Sequence, residues 1–232
     1  MTSNNTRRTS RPLALALIAF TVAAVAGCGA ARPIHYYSVD SMTAAPPPPP
    51  NLSSAATIVI GRITAPYVLR DDRILYKTGE VEMGLYDDRR WAAPPTEMIQ
   101  SMLVERLRST GQFRNVQLRT TSAVGSFLLR GNLRAFNEVD TASGITARFG
   151  LRLELYEAKS GNLVWTQSFL QDEPVTEKTV NAVVVSLQKA VDTVLSQVSA
   201  SLVAYFQQHP GAVDKPAATV PDQPGTPTSQ PQ

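Results

Sequence analysis

From Ala147 to Glu157 the side chains alternate in kind: Phe149, Leu151, Leu153 and Leu155 fall on one parity, and Arg148, Arg152, Glu154 and Tyr156 on the other. Period two is the repeat of a strand, whose successive side chains point to opposite faces of a sheet. Wound as a helix, this segment would scatter its apolar groups around the axis, so the chain must build a sheet with one buried face. Lys159-Ser160-Gly161-Asn162 then supplies a turn, and Leu163, Trp165 and Phe169 resume on one parity. Upstream, Phe127 to Phe136 reads as a third strand, set off by the turn-forming residues Asp140 to Gly144. Three strands joined by short turns predict an antiparallel meander. Thr57 to Ile63 is β-branched and apolar, the mark of a buried strand, while Val81 to Tyr86 and Val116 to Leu118 are weaker strand candidates.

Two segments change period. Pro94-Pro95-Thr96-Glu97 has proline where a first helical turn tolerates it and an acid at the positive end of the helix dipole. Met98, Ile99, Met102, Leu103 and Leu107 form the apolar stripe that follows, and Gly111 ends it. A second helix is predicted from about Thr176 to Phe206, with Val180, Val183, Val184, Leu187, Val191, Val194, Leu195, Val198, Leu202 and Tyr205 recurring at steps of three and four. Such a helix is long for a globular domain. Either its whole stripe packs on the sheet, or its far end leaves the domain to touch a partner or another copy.

Composition shifts bound the folded part. Pro46 to Pro50 is an unbroken proline run that favours a stiff polyproline II spacer, roughly 15 Å long at about 3.1 Å per residue. From Pro210 onward Pro, Thr, Gln and Ala dominate without an aromatic residue, a composition that cannot bury enough surface to order itself. The expected organisation is a signal peptide over 1–27, a lipidated cysteine and Pro-rich linker over 28–55, one α/β domain over 56–207 and a disordered tail over 208–232.

The amino terminus sets the compartment. Arg7, Arg8 and Arg11 precede an apolar run from Leu13 to Val25, and Val25-Ala26-Gly27-Cys28 follows. A basic start, a short apolar stretch and small residues before the cut describe a secretory signal peptide. The run is shorter than the about 20 apolar residues of a bilayer span. Val-Ala-Gly-Cys resembles the lipobox of bacterial lipoproteins, whose thiol takes a diacylglycerol and whose new amino terminus is acylated. Cys28 is the only cysteine, so no disulfide within the chain is possible, and acylation gives the lone thiol of an exported chain a purpose. Gly29 follows it, not aspartate; among lipoproteins as a class this implies the outer membrane, periplasmic face. Removing a segment with three arginines and no acid brings the +3 side-chain charge to zero, so the basic precursor is no argument for nucleic-acid binding.

Catalytic patterns are missing from the expected core. His35 and His209, the only histidines, flank it, so neither a Ser-His-Asp nor a Cys-His arrangement can be assembled inside it. The usual His and Cys ligands of zinc are missing too, and so is a phosphate-binding G-x-x-x-x-G-K-[ST] loop. Asp71-Asp72, Asp87-Asp88 and Asp172-Glu173 could serve acid–base chemistry only if desolvated; adjacent acids in turn-like stretches read as solvated loops. No cofactor is expected beyond the covalent diacylglycerol and N-acyl chain on Cys28.

The order of features resembles the ABC-type transport auxiliary lipoprotein family, of the paraquat-inducible protein C type. The likeness runs through Tyr36-Tyr37-Ser38-Val39, Val59 to Ile63, Pro66 to Leu69 and Ile74, and is sharpest at Tyr86-Asp87-Asp88-Arg89-Arg90-Trp91-Ala92-Ala93-Pro94. It resumes at Phe127 to Gly131 and from Leu163 to Val175. One departure is that Arg70 precedes Asp71 where the family shows an acid and then an arginine. The resemblance implies a three-layer α/β fold with a mixed sheet, similar to anticodon-binding and TolB amino-terminal domains. It also implies work beside an MCE-type lipid transport system, with an MCE-domain protein as partner and copies of the chain associating as a homo-oligomer. The chain would be its docking lipoprotein, held on the membrane by lipid.

Trp, Tyr and Arg are enriched in interface hot spots, which makes Tyr67, Tyr86, Arg90 and Trp91 the candidate partner contacts. Trp91 has a competing reading, as a cap on the core where the first helix enters. A periplasmic lipid or small-molecule binding lipoprotein is the runner-up function and needs an apolar pocket. An envelope enzyme is the third.

Overall fold

In the computed structural model the alternating segment is β7, Gly144–Glu157, the middle strand of the meander. Its neighbours are β6, Phe127–Thr141, and β8, Leu163–Pro174, both antiparallel to it. The structure describes residues 33–40, 56–79, 81–120 and 125–210. The signal peptide, Cys28, the proline run and the tail beyond Pro210 lie outside the described residues, and the fold is that of the unit beginning at His35.

Register follows the alternation. Leu129 faces Leu155, Leu133 faces Leu151 and Phe136 faces Phe149 across β6 and β7; Leu151 faces Phe169 across β7 and β8. Slipping β7 by one residue would turn its leucines to water, so the buried face pins the pairing. Only two residues separate β6 from β7, and Gly144 takes a φ of 130°, which a side chain would resist.

The remaining strands add to the far side of β6. Its first half pairs in parallel with β2, Thr57–Thr64, and beyond that lies β5, Asn115–Leu118. Its second half pairs in parallel with β3, Arg73–Thr78, followed by β4, Glu82–Trp91, and β1, His35–Tyr37. The result is an eight-stranded mixed sheet. Parallel partners need a crossover. Helix α1, Pro95–Ser109, lies on the path from β2 to its parallel neighbour β5.

Helix α1 buries the five stripe residues expected of it, and Gly111 after it adopts a φ of 62°. Helix α2, Val180–Gln208, begins at Thr179, whose hydroxyl accepts from the Ala182 amide at 3.2 Å. Both helices lie on one face of the sheet and meet through Arg106 and Asp192 at 3.1 Å. Val191, Leu195, Val198 and Leu202 are buried, and so is Phe206 at the far end. Each such side chain contributes about 1.5–3 kcal/mol by leaving water. The helix therefore packs along its whole stripe, and its far end does not leave the domain. The sheet's other face carries the polar parity, including Arg130, Arg148 and Arg152.

One boundary is corrected. His35 to Asp40 lie in the segment expected as linker, yet β1 pairs with β4 from His35↔Arg89 to Tyr37↔Trp91, and Val39 is 1% exposed. Three residues are too few to show a period; this strand takes its stability from a distant partner.

Candidate functional site

The four candidate contact residues sit on β4 and on a short 3-10 turn, Tyr67–Leu69. Pro66 starts the turn, and its carbonyl accepts from the Leu69 amide at 3.0 Å. Leu69 is 4% exposed and anchors the turn in the core, which leaves Tyr67 78% exposed. The guanidinium carbon of Arg70 lies 5.6 Å from the centroid of the Tyr67 ring, over its face.

Two acids tie this turn down. Asp71 Oδ1 accepts from the Arg73 amide at 2.9 Å and Nε at 3.0 Å, and Oδ2 from Arg73 Nη2 at 2.9 Å. The Arg73 side-chain hydrogen bonds, then its amide, hold the Asp71 carboxyl well below the usual carboxylate range. Asp72 accepts both contacts of Arg90 Nη1, at 2.7 and 2.9 Å, and its carbonyl accepts from the Trp91 amide at 2.5 Å. Tyr67, Arg70, Asp71 and Asp72 border an open hollow of about 420 Å³. An aromatic ring, a stacked cation and two oriented acids on a fixed turn can grip a protein surface; nothing in the group is arranged for bond making.

The structure unites Tyr67 and Arg90 at this end and separates the other two. Tyr86 belongs to a different cleft, where its hydroxyl donates to Glu138 Oε2 at 2.8 Å. Burial, then the Glu138 hydrogen bond, pushes the Tyr86 hydroxyl up. Trp91 is 2% exposed, its ring centroid 4.8 Å from that of Phe136. It offers no surface to a partner, so the core reading is the one its geometry supports. Cys28 lies outside the described residues.

Sequence reasoning missed Glu138, a carboxylate only 6% exposed. A signal was present: Glu138 and Asp140 continue the parity of Phe136 on β6, where apolar groups belong. The acid pairs singled out on sequence are largely taken up by arginines, with Arg148 Nε to Asp172 Oδ1 at 2.7 Å and Arg89 Nε to Asp88 Oδ1 at 3.8 Å. Among the described residues no group of three or more His, Cys, Asp or Glu is placed to hold a metal, and no helix is long and apolar enough to cross a membrane.

The fold is thus a mixed sheet with two helices on one face and an exposed, braced aromatic turn at one end. The family model for ABC-type transport auxiliary lipoprotein components matches residues 37–199, and the chain belongs to that family. A lipoprotein of this family is a membrane-anchored protein of the cell envelope that serves a transport system. Among solved structures, protein XCC0632 from Xanthomonas campestris is similar at 18% identity and a TM-score of 0.67, covering 76% of this chain and 99% of its own. A second, an uncharacterized protein, is similar at 15% identity and a TM-score of 0.58, covering 74% of this chain and 99% of its own. At these identities the likeness concerns the fold. A comparison with curated proteins gives no match.

Proposed function

We propose that this lipoprotein is the docking subunit of an MCE-type lipid transport system, fixed by acyl chains on Cys28 to the periplasmic face of the outer membrane. The family supports a role beside a transporter. The observation that carries the docking role is Tyr67, 78% exposed on a turn braced by Leu69, Asp71 and Asp72. A large ring held still loses little freedom on binding, the property of a hot-spot residue. The partner of that surface is the MCE-domain protein. Association of copies is supported by β8, an edge strand of 12 residues that exposes Leu163 and Leu170. On this reading the chain carries no catalytic step and no cofactor, and its interactions are with membrane and protein, not nucleic acid.

The test uses Cys28→Ser in cells fed labelled palmitate. Label is lost, the variant leaves the membrane fraction, and recovery of transport subunits in cross-linked envelopes falls with it. Labelling equal to that of the natural chain removes the anchor and the docking role that depends on it.

A further inference from the structure

The cleft that holds Tyr86 lies where α2 begins, and its volume is about 620 Å³. Sites for small molecules run from about 300 to 1,000 Å³. Its lining carries both signs of charge: Asp88, Glu138 and Asp140, with Arg89, 3.8 Å from Asp88, and Lys178. Glu138 is 6% exposed, and among the described residues only the Tyr86 hydroxyl donates to its carboxylate, at Oε2; Oε1 has no donor. Burial pushes this carboxyl up, the Tyr86 hydrogen bond opposes the shift, and Asp140 adds to it. Oε1 is not a sealed orphan: it opens to the cleft, where a ligand's donor can take the place of water.

Backbone donors come from the start of α2. Thr179 uses its hydroxyl on the Ala182 amide and its carbonyl on the Val183 amide. The amides of Val180 and Asn181 precede the first intrahelical bonds, and both residues line the cleft. Lys178 lines it as well, one position before the cap. The positive end of a helix of 29 residues thus borders the same cleft as a buried acid. Packing holds the acidic side in place. A Cβ at Gly84 would collide with the Tyr76 ring; its absence lets that ring lie against Tyr86, with centroids 5.0 Å apart.

We propose that this cleft binds a small zwitterion, its primary ammonium group on Glu138 and Asp140 and its anionic group on the amides that open α2, with Lys178. An ammonium supplies the donor that Oε1 lacks, and the flanking Tyr37 and Tyr86 rings suit a cation. A phosphate or carboxylate satisfies the free amides and the helix dipole. One molecule carrying both groups meets the acids and the amide donors together, which neither ion alone does. The proposal stands apart from the docking role, because the Tyr67 turn does not border this cleft.

Titration calorimetry on the full-length lipoprotein in detergent tests it, with O-phosphoethanolamine and glycine as zwitterionic probes and ethanolamine and inorganic phosphate as half-probes. At least one zwitterion is expected to bind, and each half-probe at least about tenfold more weakly than it. Which zwitterion binds distinguishes a phosphate headgroup from an amino acid. Glu138→Gln keeps an acceptor for Tyr86 and should weaken that zwitterion at least about tenfold. If Glu138→Gln does not fold, Asp140→Asn at the half-buried end of the cleft is used and should weaken binding in the same direction. Failure of both zwitterions to bind, phosphate binding as tightly as the zwitterion, or unchanged affinity in the folded variant overturns the proposal.

Discussion

Trp91→Ala lowers the stability of the folded chain by about 3–5 kcal/mol, the cost of emptying a large buried aromatic site. The indole is 2% exposed and packs 4.8 Å from Phe136, itself 0% exposed and in contact with Phe149 at 6.1 Å. The loss reaches across the sheet, because Trp91 ends β4 while Phe136 belongs to β6. In a domain of this size that change lowers the midpoint of thermal unfolding by about 10 °C. Urea unfolding followed by circular dichroism measures it. A loss below about 1 kcal/mol is the small effect of a surface position, and it contradicts the burial described.

Phe206→Ala is the second large effect, again about 3–5 kcal/mol. Phe206 sits two residues from the last residue of α2, where the ends of helices fray, yet it is 1% exposed. Its ring meets Phe127 at 5.0 Å, Phe113 at 5.6 Å and Tyr205 at 5.2 Å, all near edge to face. The cluster joins the far end of α2 to β6 and to the loop after α1. Hydrogen exchange in the variant should show α2 loosened over its last turns while the β6–β7 ladder stays protected. A neutral effect on stability, paired with loss of a partner, is the opposite result and assigns this end of the helix to an interface.

Regular elements with strong periods were legible before the structure. The β7 alternation, the α1 stripe and the α2 stripe each repeat a pattern that only one backbone geometry satisfies. Strands without a period were not. In β3, Ile74 and Leu75 are adjacent and both buried, at 0% and 5% exposure, so the strand shows no alternation although it is paired on both edges. The charged run Asp87 to Arg90 hid the second half of β4, since charges argue for a loop until partners such as Asp72 are known. Trp91 shows the limit for sites: tryptophan is common both in interfaces and in cores, and burial is a property of the assembled chain. Tyr67 was legible as a residue type but not as an exposed one, for its exposure depends on a side-chain anchor two positions on, Leu69. Glu138 was passed over because its partner, Tyr86, is 52 positions away in sequence.

The docking surface is tested most directly by a photo-reactive amino acid placed at position 67 in the full-length chain, with a second placed at Arg134 on the polar face of the sheet as control. Irradiation of intact envelopes should join the chain to an MCE-domain subunit from position 67 and not from position 134. Equal capture from both positions, or capture from neither while the chain is present and membrane-bound, contradicts docking through the braced turn.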